Sequence, residues 1–158
     1  LMMAKILKVK DRESLRCAID LGVAMQLTNI ARDVIEDKKK NRTYIKADFN
    51  SISETIVLSE LFYQSAFPAI KNIPIFSRFA ILVARRIYRR IGYEILLQKN
   101  IESYNNAGKI YVSASNKMIE TFLSFFDFIK LLFLDSTKQK KQDDNIMLHR
   151  EINLDERI

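Results

Sequence analysis

Glycine and proline are scarce in this chain, with three of the first and two of the second in 158 residues. So few breakers leave long apolar-periodic stretches uninterrupted, which argues for helices rather than strands. Cysteine is scarcer still. A single thiol, Cys17, excludes an internal disulfide framework and fits a reducing, cytoplasmic setting. No apolar run reaches the roughly 18–20 residues that a membrane-spanning helix needs. Residues 1–10 carry charge but lack the sustained apolar core of a signal peptide. The reading is a protein that is soluble in the cytoplasm, with a peripheral membrane contact left open. Acidic residues are the minority, 19 against 26 Lys+Arg, for a net charge of +7. That balance suits anionic partners such as phosphates or acidic lipid, and equally suits a lysine-rich surface that only keeps the chain in solution. Nothing resembling a zinc finger, an RNA-recognition motif or a helix-turn-helix accompanies it, so no nucleic-acid partner is expected.

What is present is helical patterning, in a chain that is 48% apolar and long enough for one modest domain. Asp11 is placed to cap a long helix that runs to about residue 37, and the Lys38–Arg42 cluster reads as a loop. Ser51-Ile52-Ser53-Glu54 matches a capping box, predicting a second helix over 52–69 that ends or kinks at Pro68. Pro74 suits the first position of a third helix running to about residue 99. Asn105-Asn106-Ala107-Gly108 reads as a turn. Ser113 or Ser115 is placed to cap a fourth helix reaching residue 134. On that last helix Phe122, Phe125, Phe126, Ile129, Leu132 and Phe133 recur at helical spacing, and their expected place is the core face, with a lipid-touching surface as the alternative. Beyond residue 135 the composition turns polar and aperiodic, which predicts a disordered tail over 136–158, in which His149 is given no role. The expected fold class is all-α, with four helices and a tail.

The first helix carries the chemistry. At about 100° per residue, Gly22, Gln26, Asn29, Asp33 and Asp37 share an arc of roughly 80°. The rest of the circumference is apolar, from Leu21 to Val34, so the helix is expected to be buried, with a polar stripe inside the core. Such a stripe is unfavourable unless hydrogen-bonded, paired or metal-bound. Gly22 leaves room there for a ligand or a neighbouring helix. Asp33 and Asp37, one turn apart, repel by about 3 kcal/mol at an effective dielectric near 20. A divalent cation would relieve that repulsion, and Mg²⁺ prefers a few carboxylates together with substrate phosphates. Asn29 sits one turn earlier and is able to add an amide oxygen. Capture of a diphosphate through Mg²⁺ is the chemistry implied. The DxxxD spacing alone more often describes a solvated charged face, here with Arg32 and Lys38 as partners, and it is the apolar surroundings that weigh against that reading.

The wording around these residues is more specific than their spacing. Leu21-Gly22-Val23-Ala24-Met25-Gln26-Leu27-Thr28-Asn29-Ile30-Ala31-Arg32-Asp33-Val34-Ile35-Glu36-Asp37 resembles the second aspartate-rich motif of squalene/phytoene synthases, and within them the bacterial phytoene-synthase form. Asn41-Arg42-Thr43-Tyr44-Ile45 continues the match, with Lys46 where the family usually has proline. Ala84-Arg85-Arg86-Ile87-Tyr88-Arg89-Arg90-Ile91-Gly92 is similar to a later helix of the family whose tyrosine faces the cavity. Val112-Ser113 with Lys117 is similar to the Val-Ser-x-x-x-Lys stretch that follows. Two departures are Tyr93, where many members carry an acid, and Lys109, where arginine is common. The resemblance runs over residues 1–125.

This resemblance implies the C-terminal part of an isoprenoid-synthase-type helical bundle with a central cavity, here residues 1–135. It implies a magnesium-dependent prenyltransferase that joins two prenyl diphosphates head to head. The first choice is geranylgeranyl diphosphate to phytoene through a cyclopropyl intermediate, in carotenoid biosynthesis. The alternatives are squalene or hydroxysqualene from farnesyl diphosphate, or a non-catalytic helical relative that assists assembly. Asp33 and Asp37 would be Mg²⁺ ligands, with Asn29 beside them. Gln26, Asn29, Arg32, Arg42 and Lys109 would meet substrate, although Arg32 equally suits a surface pair with Glu36. Tyr88 would line the cavity where carbocations form, against the plainer reading of a core tyrosine with a satisfied hydroxyl. The family's first aspartate-rich motif lies upstream of the second, and none precedes Asp33 here. The chain therefore reads as a portion of a longer enzyme and is expected to lack turnover by itself.

Overall fold

The computed structural model describes residues 12–133. Among these the fold is all-α: α1 (Arg12–Lys39), α2 (Phe49–Ala66), a 3₁₀ turn (Pro68–Asn72), α3 (Ile75–Leu96), α4 (Ile101–Ala107) and α5 (Ala114–Phe133). Five α-helices replace the expected four, because residues 101–107 form a short helix. Asn100 starts it by accepting the Ser103 N–H at 2.8 Å, and Gly108 ends it at φ +64. Asp11, as the cap of α1, and the polar segment 136–158 lie outside the described residues.

Caps account for the remaining boundary shifts. Asp48, not Ser51, caps α2: its Oδ1 accepts the Ser51 N–H at 2.8 Å and its Oδ2 the Ser51 hydroxyl at 3.0 Å. A carboxylate meets the positive end of a helix better than a hydroxyl does, so the helix starts at Phe49 rather than Ile52. Pro68 opens the 3₁₀ turn, and Pro74 directly precedes α3, which ends at Leu96 rather than near residue 99. Ser113 caps α5, its Oγ accepting the Asn116 N–H at 3.2 Å.

One apolar cluster joins four helices. Ala31 and Val34 of α1 meet Ile52 and Ile56 of α2, Ile91 and Ile95 of α3, and Tyr104 of α4, with Ile110 and Val112 closing it. Gly92 lets α3 approach α2 closely, since a Cβ there would lie 3.1 Å from Ile56 Cγ2. A second cluster sets Ala24 against Phe62 and Tyr63, and Tyr88 packs against both clusters.

The packing of α5 reverses expectation. Glu120, Ser124, Asp127 and Leu131, at i, i+4, i+7 and i+11, face the rest of the molecule. Ser124 and Leu131 are buried, and Arg86 of α3 pairs with Glu120 at 2.9 Å and with Asp127 at 2.8 Å. Phe122, Phe125, Phe126, Ile129, Leu132 and Phe133 lie on the opposite side and are exposed, Phe133 at 85%. The core-face assignment of this stripe is therefore wrong. The guanidinium groups of α3 need carboxylate partners, and supplying these turns the aromatic side outward. Arg85, 4% exposed, donates Nε–H to the Tyr63 carbonyl at 3.1 Å and stacks on Phe67 with 4.7 Å to the ring centroid. Burial, then the neighbouring Arg89 charge, bring its pKa down to about 10.

Candidate functional site

The buried side of α1 is Ala24, Thr28, Ala31 and Val34. At 100° per residue this side lies opposite Gly22, Gln26, Asn29, Asp33 and Asp37. The polar stripe is thus on the side that α2 and α3 leave uncovered, not enclosed within the described residues. Gly22 and Gln26 are exposed, Asn29, Asp33 and Asp37 half-buried. A Cβ at Gly22 would meet nothing within 4 Å, so no described helix uses the space that the glycine leaves. Burial all round was the wrong expectation, because apolar flanks such as Leu21 and Met25 are only partly covered.

Asp33 is the most constrained member of the stripe. Arg32 donates Nε–H to its Oδ1 and Nη2–H to its Oδ2, both at 2.9 Å. The Lys109 ammonium lies 3.5 Å from the same Oδ1 and 2.7 Å from Glu36 Oε2. Arg32 therefore pairs with Asp33, and Glu36 takes Lys109 instead. The Arg32 fork above all, with Lys109 adding to it, holds the Asp33 carboxyl below the usual carboxylate range despite part-burial. Lys109 is shifted up, chiefly by its hydrogen bond to Glu36.

The C-terminus of α1 is a Schellman-type end. The Arg42 N–H returns to the Asp37 carbonyl at 2.8 Å and the Asn41 N–H to Lys38 at 3.1 Å, with Asn41 left-handed at φ +56. This closure brings Arg42 beside Asp37. Both line a cavity of about 160 Å³ together with Lys38, Tyr44, Ile30 and Val34. Tyr88 is half-buried and near enough to Arg32 for an electrostatic interaction between them. The fold thus gathers Arg32, Asp33, Lys109 and Tyr88 in one neighbourhood, and Asp37 with Arg42 in the adjoining cavity. Gln26 stands apart, two turns nearer the N-terminus.

Residues suited to a metal can be judged from their donors. Among the described residues no three His, Cys, Asp or Glu side chains converge. The set on offer is two carboxylates and an amide, all hard oxygen donors, which fits Mg²⁺ with waters and phosphates as its other ligands. Asn29 supplies the pointed observation. Its Oδ1 is buried and has no hydrogen-bond partner among the described residues. A buried carbonyl oxygen without a donor is unfavourable, and a cation at that oxygen would satisfy it.

Sequence reasoning missed Tyr104. Fully buried, it donates its hydroxyl to the carbonyls of Ala31 and Arg32, both at 2.8 Å, and so pins the turn of α1 that presents Asp33. Burial, then the nearby Asp33 charge, push its hydroxyl up to about 12. The available signal was Asn100 three residues before Ser103 with Glu102 between them, a helix start that places Tyr104 one turn from the cap. Tyr104→Phe should lower stability by about 1 kcal/mol, the value of a typical hydrogen bond. Denaturant unfolding of the two proteins side by side checks this, and an unchanged midpoint would show that the hydroxyl does not pin α1.

Comparison with known proteins finds similarity over the stretch that contains α1. The family model described as squalene/phytoene synthase matches residues 1–51, which include all of α1 with Asp33 and Asp37. The chain is 34% identical to the 15-cis-phytoene synthase of Enterobacter agglomerans, over 61% of this chain and 40% of the relative. It is 37% identical to the enzyme of the same name from a Paracoccus species, over 60% and 37%. It is 31% identical to the chloroplastic phytoene synthase 1 of Solanum lycopersicum, over 65% and 29%. The chain spans about two fifths of the length of the bacterial relatives that it matches. No solved structure matches it.

Proposed function

Because the chain belongs to the squalene/phytoene synthase family, we propose that the enzyme containing it joins two prenyl diphosphates head to head in carotenoid biosynthesis, with geranylgeranyl diphosphate as substrate and phytoene, formed through a cyclopropyl intermediate, as product. The observation that carries this reading is the open polar stripe of α1: Asp33 and Asp37 one turn apart, Asn29 Oδ1 buried without a donor, and two basic side chains on Asp33. In this reading Asp33, Asp37 and Asn29 hold Mg²⁺. When bound, Mg²⁺ neutralises diphosphate charge as the carbon–oxygen bond ionises.

The chain's own residues do the rest. Arg32, Lys109 and Arg42 supply positive charge to the diphosphates, the two arginines with a bidentate fork and Lys109 as a point charge. Gln26 lies farther along the same stripe, where a second part of the substrate would run. Tyr88, packed between two apolar clusters, presents an aromatic ring in a place where a carbocation is attracted to its face. Tyr104 keeps the Asp33 turn in place.

No helix among the described residues is long and apolar enough to cross a membrane. The outward aromatic stripe of α5 supports a peripheral membrane contact as part of the same proposal, since a C40 hydrocarbon product is insoluble in water.

The test is product analysis. Given geranylgeranyl diphosphate and Mg²⁺, the complete enzyme should release a C40 hydrocarbon without a nicotinamide reductant. Product from farnesyl diphosphate alone would move the reading to the squalene branch.

A further inference from the structure

Asp33 has little acceptor capacity to spare. The Arg32 fork takes one site on each oxygen, and Lys109 lies against Oδ1 as well. A divalent cation arriving at this carboxylate must compete with the positive charge of these contacts. The two are not equally replaceable. Arg32 neighbours Asp33 on the same helix and is bidentate. Lys109 reaches Asp33 at 3.5 Å and already has a shorter contact, 2.7 Å, with Glu36 one turn further along α1. Its backbone is well placed to hold the ammonium between the two acids. Gly108 turns the chain at φ +64, ψ −143, a conformation that suits glycine, and Ile110 and Val112 anchor the segment in the main core.

We infer that Lys109 is a resident counter-ion of Asp33 that gives way to the metal. It neutralises the carboxylate when no cation is bound, withdraws toward Glu36 when one arrives, and is then positioned beside the incoming diphosphate. Lys109 thereby weakens binding of the metal alone and ties metal binding to diphosphate binding. A free cation must compete with an ammonium, whereas a cation that arrives with diphosphate gives that ammonium an anionic oxygen in exchange. The arrangement keeps Asp33 neutralised between turnovers and favours loading of metal and substrate together. This inference rests on the proposed role of Asp33 as a metal ligand.

The test is Mn²⁺ titration of the complete enzyme, followed by the loss of the free-ion electron paramagnetic resonance signal, with and without inorganic pyrophosphate. Lys109→Met and Lys109→Gln should each bind Mn²⁺ alone about two- to fivefold more tightly than the natural protein, the scale expected for loss of a partly exposed charge pair. In both variants pyrophosphate should tighten Mn²⁺ binding far less than it does in the natural protein, and Lys109→Arg should restore both properties. Lys40→Met removes a like charge from the end of α1 and serves as the control for general electrostatics. Mn²⁺ binding that is unchanged or weaker in both neutral variants overturns the inference, as does an equal gain from Lys40→Met. Asp33→Asn separates the two levels. If it abolishes tight Mn²⁺ binding while the Lys109 variants show no gain, the counter-ion role alone falls. If it leaves Mn²⁺ binding intact, the metal assignment falls and the counter-ion role with it.

Discussion

Asp33→Asn in the complete enzyme should lower kcat by roughly a hundred- to a thousandfold, the loss typical when one preorganised charge-stabilising contact is removed from a reaction centre. Asp37→Asn should do the same. Both side chains are half-buried on the open side of α1, and neither belongs to the apolar cluster that holds the helix in place. Helical content and cooperative unfolding should therefore survive either change. The two variants should differ in one respect. Asn at position 33 releases Arg32 and Lys109 from their shared carboxylate, whereas Asn at position 37 leaves that ion cluster intact. Circular dichroism and single-turnover assays at several Mg²⁺ concentrations decide the matter. Near-normal turnover at low Mg²⁺ in both variants would remove the carboxylates from the mechanism.

Ile95→Ala should destabilise the protein by about 2–5 kcal/mol, the range for truncating a buried isoleucine where the surroundings cannot close the gap. Ile95 is fully buried and belongs to the cluster formed by Ala31, Ile52, Ile91 and Tyr104. These residues come from four helices, so no single element can shift to fill the cavity without disturbing the others. The site should feel the loss too, because Ala31 and Val34, on the inner face of α1, belong to this cluster and flank Asp33 in the sequence. A fall in denaturant midpoint together with a higher KM is the expected pair of results. A loss below about 1 kcal/mol would mean that the cluster collapses around the smaller side chain, and that α1 is held chiefly by other contacts.

The helices were legible in the sequence for local reasons. Scarce glycine and proline, apolar repeats at helical spacing and recognisable cap residues act over a few positions, so α1, α2, α3 and α5 follow from the chain directly. The shared direction of Asn29, Asp33 and Asp37 is likewise a property of one helix, fixed by its 3.6-residue turn. The family resemblance was carried by the same stretch and agrees with the matched residues 1–51. What only the tertiary structure decided is which way each helix faces and which charges meet. An amphipathic pattern marks an apolar side without saying whether that side is covered, and α5 shows the consequence. The carboxylates Glu120 and Asp127 meet arginines of α3, and the phenylalanines turn outward. Residues 73 positions apart, Lys109 and Glu36, become partners because α4 folds back on α1 through Tyr104. Their encounter depends on core packing between distant segments, for which a single sequence has no periodicity to read.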